Sequence, residues 1–283
     1  MQEGNFSEPV RTTSEEKALT ELLAGDSFDC VRWLRRTSST QDLARALVRM
    51  SGQPVTAVHV ADEQTAGRGT HGRSWRSARG TLMLTVTAPL AVPLKESSGL
   101  PSAIGIAVAR ALRGINCAVG VKWPNDLWLA DGKLAGILCE TCRDKTGALH
   151  VAAGIGVNIA LDFGVAAQLA AGGCRASALF PEEASAVSDV VLNAHRLALA
   201  SLLARTVARV VTRFSAQERA DLFALWPAYD AFAGRRVRVL PAEDWMQTEV
   251  LCGTDCGITA DGKLILETED GRRELATGSL RAA

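Results

Sequence analysis

The stretch DLWLADGKLAGILCET, residues 126–141, constrains the fold more than any other part of this chain. Two apolar runs flank Asp131-Gly132, a dipeptide suited to the left-handed backbone of a tight turn, so a β-hairpin is predicted here. Further strand patterns surround it: VRWLRR, VTAVHVAD at 55–62, GTLMLTVTAPL, AVGVKW and ALHVAAGIGVNIAL. Helical spacing falls between them. SEEKALTELLAG has Ser14 as a cap candidate, and STQDLARALVRM has Ser39 and Thr40 as cap candidates with Leu43, Ala46, Leu47 and Met50 on one face. SAIGIAVARALRGI and residues 188–214 and 217–226 also read as helices. The pattern predicts an α+β domain over 28–230, a mixed or antiparallel sheet with flanking helices, after an extension over 1–27 whose first 13 residues look disordered. After Pro227 the texture changes to short strands with turn signals, including Asp261-Gly262, which predicts a small β-barrel over 231–283.

Composition narrows the function classes. The formal net charge is zero, so no global basic field exists to hold DNA or a membrane surface. The N-terminus is polar and lacks the apolar core of a signal peptide, and no run is expected to reach the roughly 20 apolar residues of a membrane span. The seven cysteines are an odd number in a chain large enough to fold without disulfides, which points to a reduced, cytoplasmic setting. Cys139 and Cys142 form C-x-x-C, and Cys252 and Cys256 lie four apart, but no nearby His completes a zinc site, so buried or half-buried thiols are expected.

Three stretches carry chemistry. GRGTHGRSW, Gly67 to Trp75, offers free backbone N–H groups and planar guanidinium donors, a combination suited to an anion. In KWPNDLWLADGKLAGILCE, Trp123-Pro124 makes a bend, Asn125-Asp126 places an amide and a carboxylate before a strand, and antiparallel pairing brings Lys133 near Asp126. GIGVNIA, from Gly154, puts glycine at alternate strand positions, which marks close approach of a backbone or ligand.

Together these motifs resemble the biotin–protein ligase family, whose pattern is Ser-Thr-Asn at a helix start, a GRGRRGR-x-W loop, KWPND followed by K-L-A-G-I-L, and G-x-G-x-N. The resemblance covers about residues 30–280 and implies a class II synthetase-like ligase domain with an SH3-like C-terminal barrel. It implies activation of biotin by ATP and Mg²⁺ to biotinyl-5′-AMP, then transfer to a lysine of a biotin carboxyl carrier domain. The short N-terminus resembles the monofunctional class, with no DNA partner and no membrane; monomer and weak homodimer stay open. Position by position, Ser39, Thr40, Gln41, Gln64, Arg68, Gly69, Thr70, Lys133, Gly136 and Gly156 match biotin contacts. Arg68, His71, Gly72, Arg73, Trp75, Lys122, Asn125, Asp126 and Asn158 match positions around ATP and the adenylate. Lys133, Arg68 and Asp126 are the catalytic candidates, and Asp126 is the candidate magnesium ligand.

Departures from the family pattern matter. Thr70 and His71 replace loop arginines, and Gln41 replaces an Asn. Trp123 is expected in the pocket wall and Trp75 as an anchor for the loop's far end. The glycines predict a loop that is unformed without ligand. The nearest rival, a lipoate–protein ligase, shares the fold and the adenylation logic.

Overall fold

The computed structural model describes residues 13–70, 72–162, 175–180, 185–241 and 250–282. A seven-stranded sheet comprises β1 (Cys30–Thr37), β2 (Ala57–Gln64), β3 (Thr81–Pro89), β4 (Gly120–Lys122), β5 (Asp126–Leu129), β6 (Gly132–Arg143) and β7 (Leu149–Asn158). Its order is β1-β2-β3-β7-β6-β5-β4. β1 and β2 are parallel and every other pair is antiparallel, so the sheet is mixed. The helices are α1 (Ser14–Leu22), α2 (Thr40–Met50), α3 (Leu100–Arg113), α4 (Asp189–Arg213), α5 (Ala216–Phe223) and α6 (Trp226–Tyr229). A second, antiparallel sheet comprises β8 (Arg236–Leu240), β9 (Leu251–Ile258), β10 (Leu264–Thr268), β11 (Gly271–Leu275) and β12 (Ser279–Ala282), ordered β11-β10-β9-β8-β12. The expected barrel is therefore a small five-stranded β unit whose edges, among the described residues, are β11 and β12.

Strand alternation divides the large sheet into two faces. Leu84 and Val86 join the main core with Ile104 of α3 and Leu203 of α4, whereas Thr85 between them meets α2. α4 has the length and composition of a membrane span, contrary to expectation. Leu192, Leu199, Leu203, Val207 and Val211 are buried in the protein core. The two sheets meet where the Trp123 indole donates to the Gly262 carbonyl at 3.0 Å. Trp123 is thus core, not pocket wall.

Local details depart from the sequence pattern for identifiable reasons. Thr13, not Ser14, caps α1, accepting from the Glu16 amide at 3.1 Å. α2 buries Thr40, Gln41, Ala44 and Val48 and leaves Met50 exposed, because its first turn is anchored by polar contacts that rotate the helix away from its leucine stripe. The hairpin turn is Ala130-Asp131, with Ala130 at φ 50°. Gly132 instead opens β6, where a Cβ would stand 2.5 Å from the Ser177 hydroxyl.

Candidate active site

A pocket opens between the start of α2, the strands β3, β6 and β7, and the loop that leaves β2. Its floor is a chain of hydrogen bonds. The Gln64 side-chain Oε1 accepts from the Thr40 amide at 2.7 Å and hydroxyl at 3.1 Å. The hydroxyls of Thr40 and Thr85 lie 2.9 Å apart, and Thr85 donates to Gln41 Oε1 at 3.0 Å. Gln41 Nε2 donates to the Ala152 carbonyl at 2.8 Å. Ser39 precedes the helix, yet its hydroxyl makes no capping bond and it lines the pocket. Buried polar groups satisfied this way are held in fixed directions, so the floor presents a preset pattern to a polar ring.

The alternate glycines of β7 are explained by side chains that approach them. A Cβ on Gly154 would stand 2.7 Å from Gln41 Oε1, and one on Gly156 would stand 2.2 Å from the Trp75 ring. The same indole lies over Gly136, at 3.4 Å from where a Cβ would be. Trp75 therefore forms a wall of the pocket rather than only an anchor. Its Nε1 is buried without a hydrogen-bond partner among the described residues, leaving one donor open.

Positive charge sits at the β5–β6 end. Lys133 Nζ is 2.6 Å from Asp126 Oδ1, and Lys122 Nζ is 3.3 Å from Oδ2. Lys122 is 3% exposed and faces Asp126 across β4 and β5, while Lys133 lines the pocket. Burial alone would raise the Asp126 carboxyl, but the two ammonium groups outweigh it and hold the carboxyl below its ordinary value. The trio keeps one net positive charge. An Asp with an ammonium on each oxygen does not fit the expected magnesium ligand. Among the described residues no three His, Cys, Asp or Glu side chains cluster either.

The loop is a formed hairpin, unlike the expected unformed segment. Gly69 N donates to Arg73 O at 2.7 Å, Trp75 N to Gly67 O at 2.9 Å, and Arg68 bridges Ser74. Arg73 folds back onto Thr70, donating to its carbonyl and hydroxyl, each at 3.2 Å. Arg68 crosses to Asp42 and Glu140, at 2.8 and 3.1 Å. The space left in the pocket is about 50 Å³, whereas small-molecule sites hold about 300 Å³ or more.

Of the residues predicted from sequence, the pocket gathers Ser39, Thr40, Gln41, Gln64, Arg68, Gly69 and Thr70, with Trp75, Asn125, Lys133, Gly136 and Gly156. Lys122 and Asp126 stand behind Lys133. Gly72 and Arg73 lie exposed on the hairpin, away from the lining. His71 lies outside the described residues. Asn158 is a brace: its amide donates to the carbonyls of Lys133 and Ser177 at 3.2 and 3.1 Å. Asn125 ties the same corner, donating to the Ile137 carbonyl at 2.7 Å. Sequence reasoning missed Thr85, a lone hydroxyl in an apolar strand, as well as Asp42 and Glu140. The C-x-x-C pair lies on β6 with odd spacing, which sends Cys139 and Cys142 to opposite faces and excludes joint metal binding. Burial pushes the Cys139 thiol up to about 12, so it is no nucleophile.

The sequence profile of the biotin/lipoate A/B protein ligase family matches residues 33–158, a span that contains every residue lining the pocket. Residues 33–158 are thus similar to a biotin/lipoate A/B protein ligase domain. It is 31% identical over 214 residues to the bifunctional ligase/repressor BirA of Escherichia coli, covering 75% of this chain and 61% of that protein. It is 35% identical over 161 residues to a biotin–[acetyl-CoA-carboxylase] ligase of Mycobacterium tuberculosis, covering 53% of this chain and 58% of that one. The chain thus spans about three-fifths of the length of these curated relatives. The biotin protein ligase of Aquifex aeolicus, solved with biotin and ATP, has a TM-score of 0.63 at 24% identity, covering 89% of this chain and 98% of that one. The pocket-bearing domain and the C-terminal sheet therefore share the fold of that protein.

Proposed function

We propose that this chain activates biotin with ATP to biotinyl-5′-AMP and passes biotin to a lysine of a biotin carboxyl carrier domain. The observation that carries the reading is the pocket's two ends: a preset polar floor at one, and the net-positive Lys122–Asp126–Lys133 trio at the other. In the first step a biotin carboxylate oxygen bonds to the α-phosphorus of ATP, the bond to the β-phosphate bridge breaks, and pyrophosphate leaves. Two anions must meet, so cationic and N–H donors have to be in place beforehand. Lys133 supplies the charge at the pocket, Asp126 fixes its direction, and Lys133 together with Lys122 keeps Asp126 ionised. The open Trp75 indole N–H is a further donor for the adenylate. In the second step the carrier amine bonds to the acyl carbon and AMP leaves. No protein nucleophile is needed, in keeping with the inert Cys139. Magnesium enters with the triphosphate as part of the substrate, while both Asp126 oxygens stay with the lysines.

The matched family also includes lipoate ligases. The Gln64–Thr40–Thr85–Gln41 chain favours biotin, since a ureido ring has polar groups for a polar floor to orient and an alkyl chain does not. The test is pyrophosphate release from ATP with biotin or lipoate, followed by label transfer to a carrier domain. Release with biotin and labelling of one carrier lysine are expected. No release with biotin, or equal release with lipoate, would overturn the reading.

A further inference from the structure

Arg68 lies on the same hairpin as Trp75, and both line the pocket whose remaining space is only about 50 Å³. A ligand of cofactor size enters only if this hairpin swings away. What holds it is a set of ion pairs to the body of the domain. Asp42, in the first turn of α2, takes Arg68 Nη1 at 2.8 Å. Glu140, on β6, takes Nη2 at 3.1 Å and is itself held by Arg45 of α2 at 3.2 Å. The four charges cancel, so the Arg68 guanidinium is already neutralised before any anion arrives.

We propose that Asp42 and Glu140, with Arg45 bracing Glu140, form a clasp on Arg68 that holds the pocket shut and sets how fast ligands enter. These are positioning residues acting through Arg68. The identity of the gated ligand rests on the biotin reading above; the clasp itself does not. Both pairs are partly exposed, with Arg68 at 37% and its partners at 46% and 29%. Pairs of this kind are individually weak, which suits a contact that must break in every turnover. The ordinary alternative is a pair of surface ion pairs with no bearing on access. It predicts no change in rates when the carboxylates are neutralised.

The experiment uses the full chain and the double variant Asp42→Asn/Glu140→Gln. Without ligand, trypsin cleavage after Arg68 should rise about tenfold, since each lost pair accounts for up to about a fivefold shift. Biotin association, followed by tryptophan fluorescence, should accelerate by a similar factor with dissociation unchanged, so Kd should tighten by that factor, because the clasped pocket has space of only about 50 Å³ and the clasp holds the empty form alone. In an Arg68→Ala background the same double substitution should change neither rate. Unchanged cleavage would overturn the clasp. So would a weaker Kd at an unchanged association rate, which is the signature of direct ligand contact or a damaged pocket. If the wild-type chain binds no biotin, the biotin reading fails and the protease result alone decides the clasp.

Discussion

On one side of the pocket Lys122, Asp126 and Lys133 leave one positive charge over, with Lys122 buried and Lys133 at the pocket wall. On the other, Arg45, Glu140, Arg68 and Asp42 cancel, and their side chains are half-exposed. Four of these seven residues are cations, and sequence reasoning gave Lys133 and Arg68 similar duties. The pairing separates them. A surplus charge backed by the buried Lys122 and Asp126 acts on a reacting anion at the pocket wall, whereas a neutral cluster acts through where it holds the loop. The first cluster is suited to chemistry and the second to access.

Breaking the charged trio should have the larger effect. Asp126→Asn removes the carboxylate that pairs with both lysines, a loss of up to about 3 kcal/mol in folding stability for a broken buried pair. It also frees Lys133, so adenylate formation should fall about tenfold or more while biotin affinity falls less. Unfolding and turnover measured with biotin titration check this; equal losses in affinity and turnover would make Asp126 structural only. The sign with pH follows from the depressed Asp126 value. Its contribution is present above the unfolded carboxylate value, about 4, and is lost as pH falls through the lower folded one. The variant should lack that acid-side loss.

The acidic residues at the C-terminal sheet sharpen the comparison. Asp255 on β9 is buried, accepts from Gly257 N at 2.9 Å through Oδ1, and leaves Oδ2 without a partner among the described residues. Burial, with repulsion from Asp230, pushes its carboxyl up to about 7. The same residue type is thus shifted down between two lysines and up beside another carboxyl. The folded chain keeps a proton here that the unfolded chain releases, so stability should fall as pH rises from about 4 to about 7. Asp255→Asn should remove that slope, raising stability at pH 8 by on the order of 1–2 kcal/mol and changing little at pH 5. Identical wild-type and variant profiles in chemical unfolding would contradict the shift.

Much of this was legible in the sequence because motif residues lie at strand ends and turns, where residue type reports directly on conformation. Lys133 and Asp126 needed only the hairpin register to meet, and Gly154 and Gly156 already signalled close approach. What approaches them, Gln41 from α2 and Trp75 from the loop, depends on tertiary packing that no local pattern contains. Asp42 and Glu140 were missed for the same reason. Each reads alone as a solvated charge, and Arg68 joins them across 26 and 72 residues of sequence. The tilt of α2 was also hidden, since its polar Thr40 and Gln41 are drawn inward by bonds to β3 and β7 while Met50 is left out.

The division of labour between the two clusters is tested most directly by single-turnover adenylate formation at saturating biotin and ATP, comparing Lys133→Ala with Arg68→Ala. Removing the cation between two anions should slow the chemical step by a factor on the order of 10² or more. Removing the clasped arginine should leave that step within about tenfold of wild type and instead speed biotin entry. Equal loss of the chemical step in both variants would contradict the account, because it would place the Arg68 charge on the reacting anions rather than on Asp42 and Glu140.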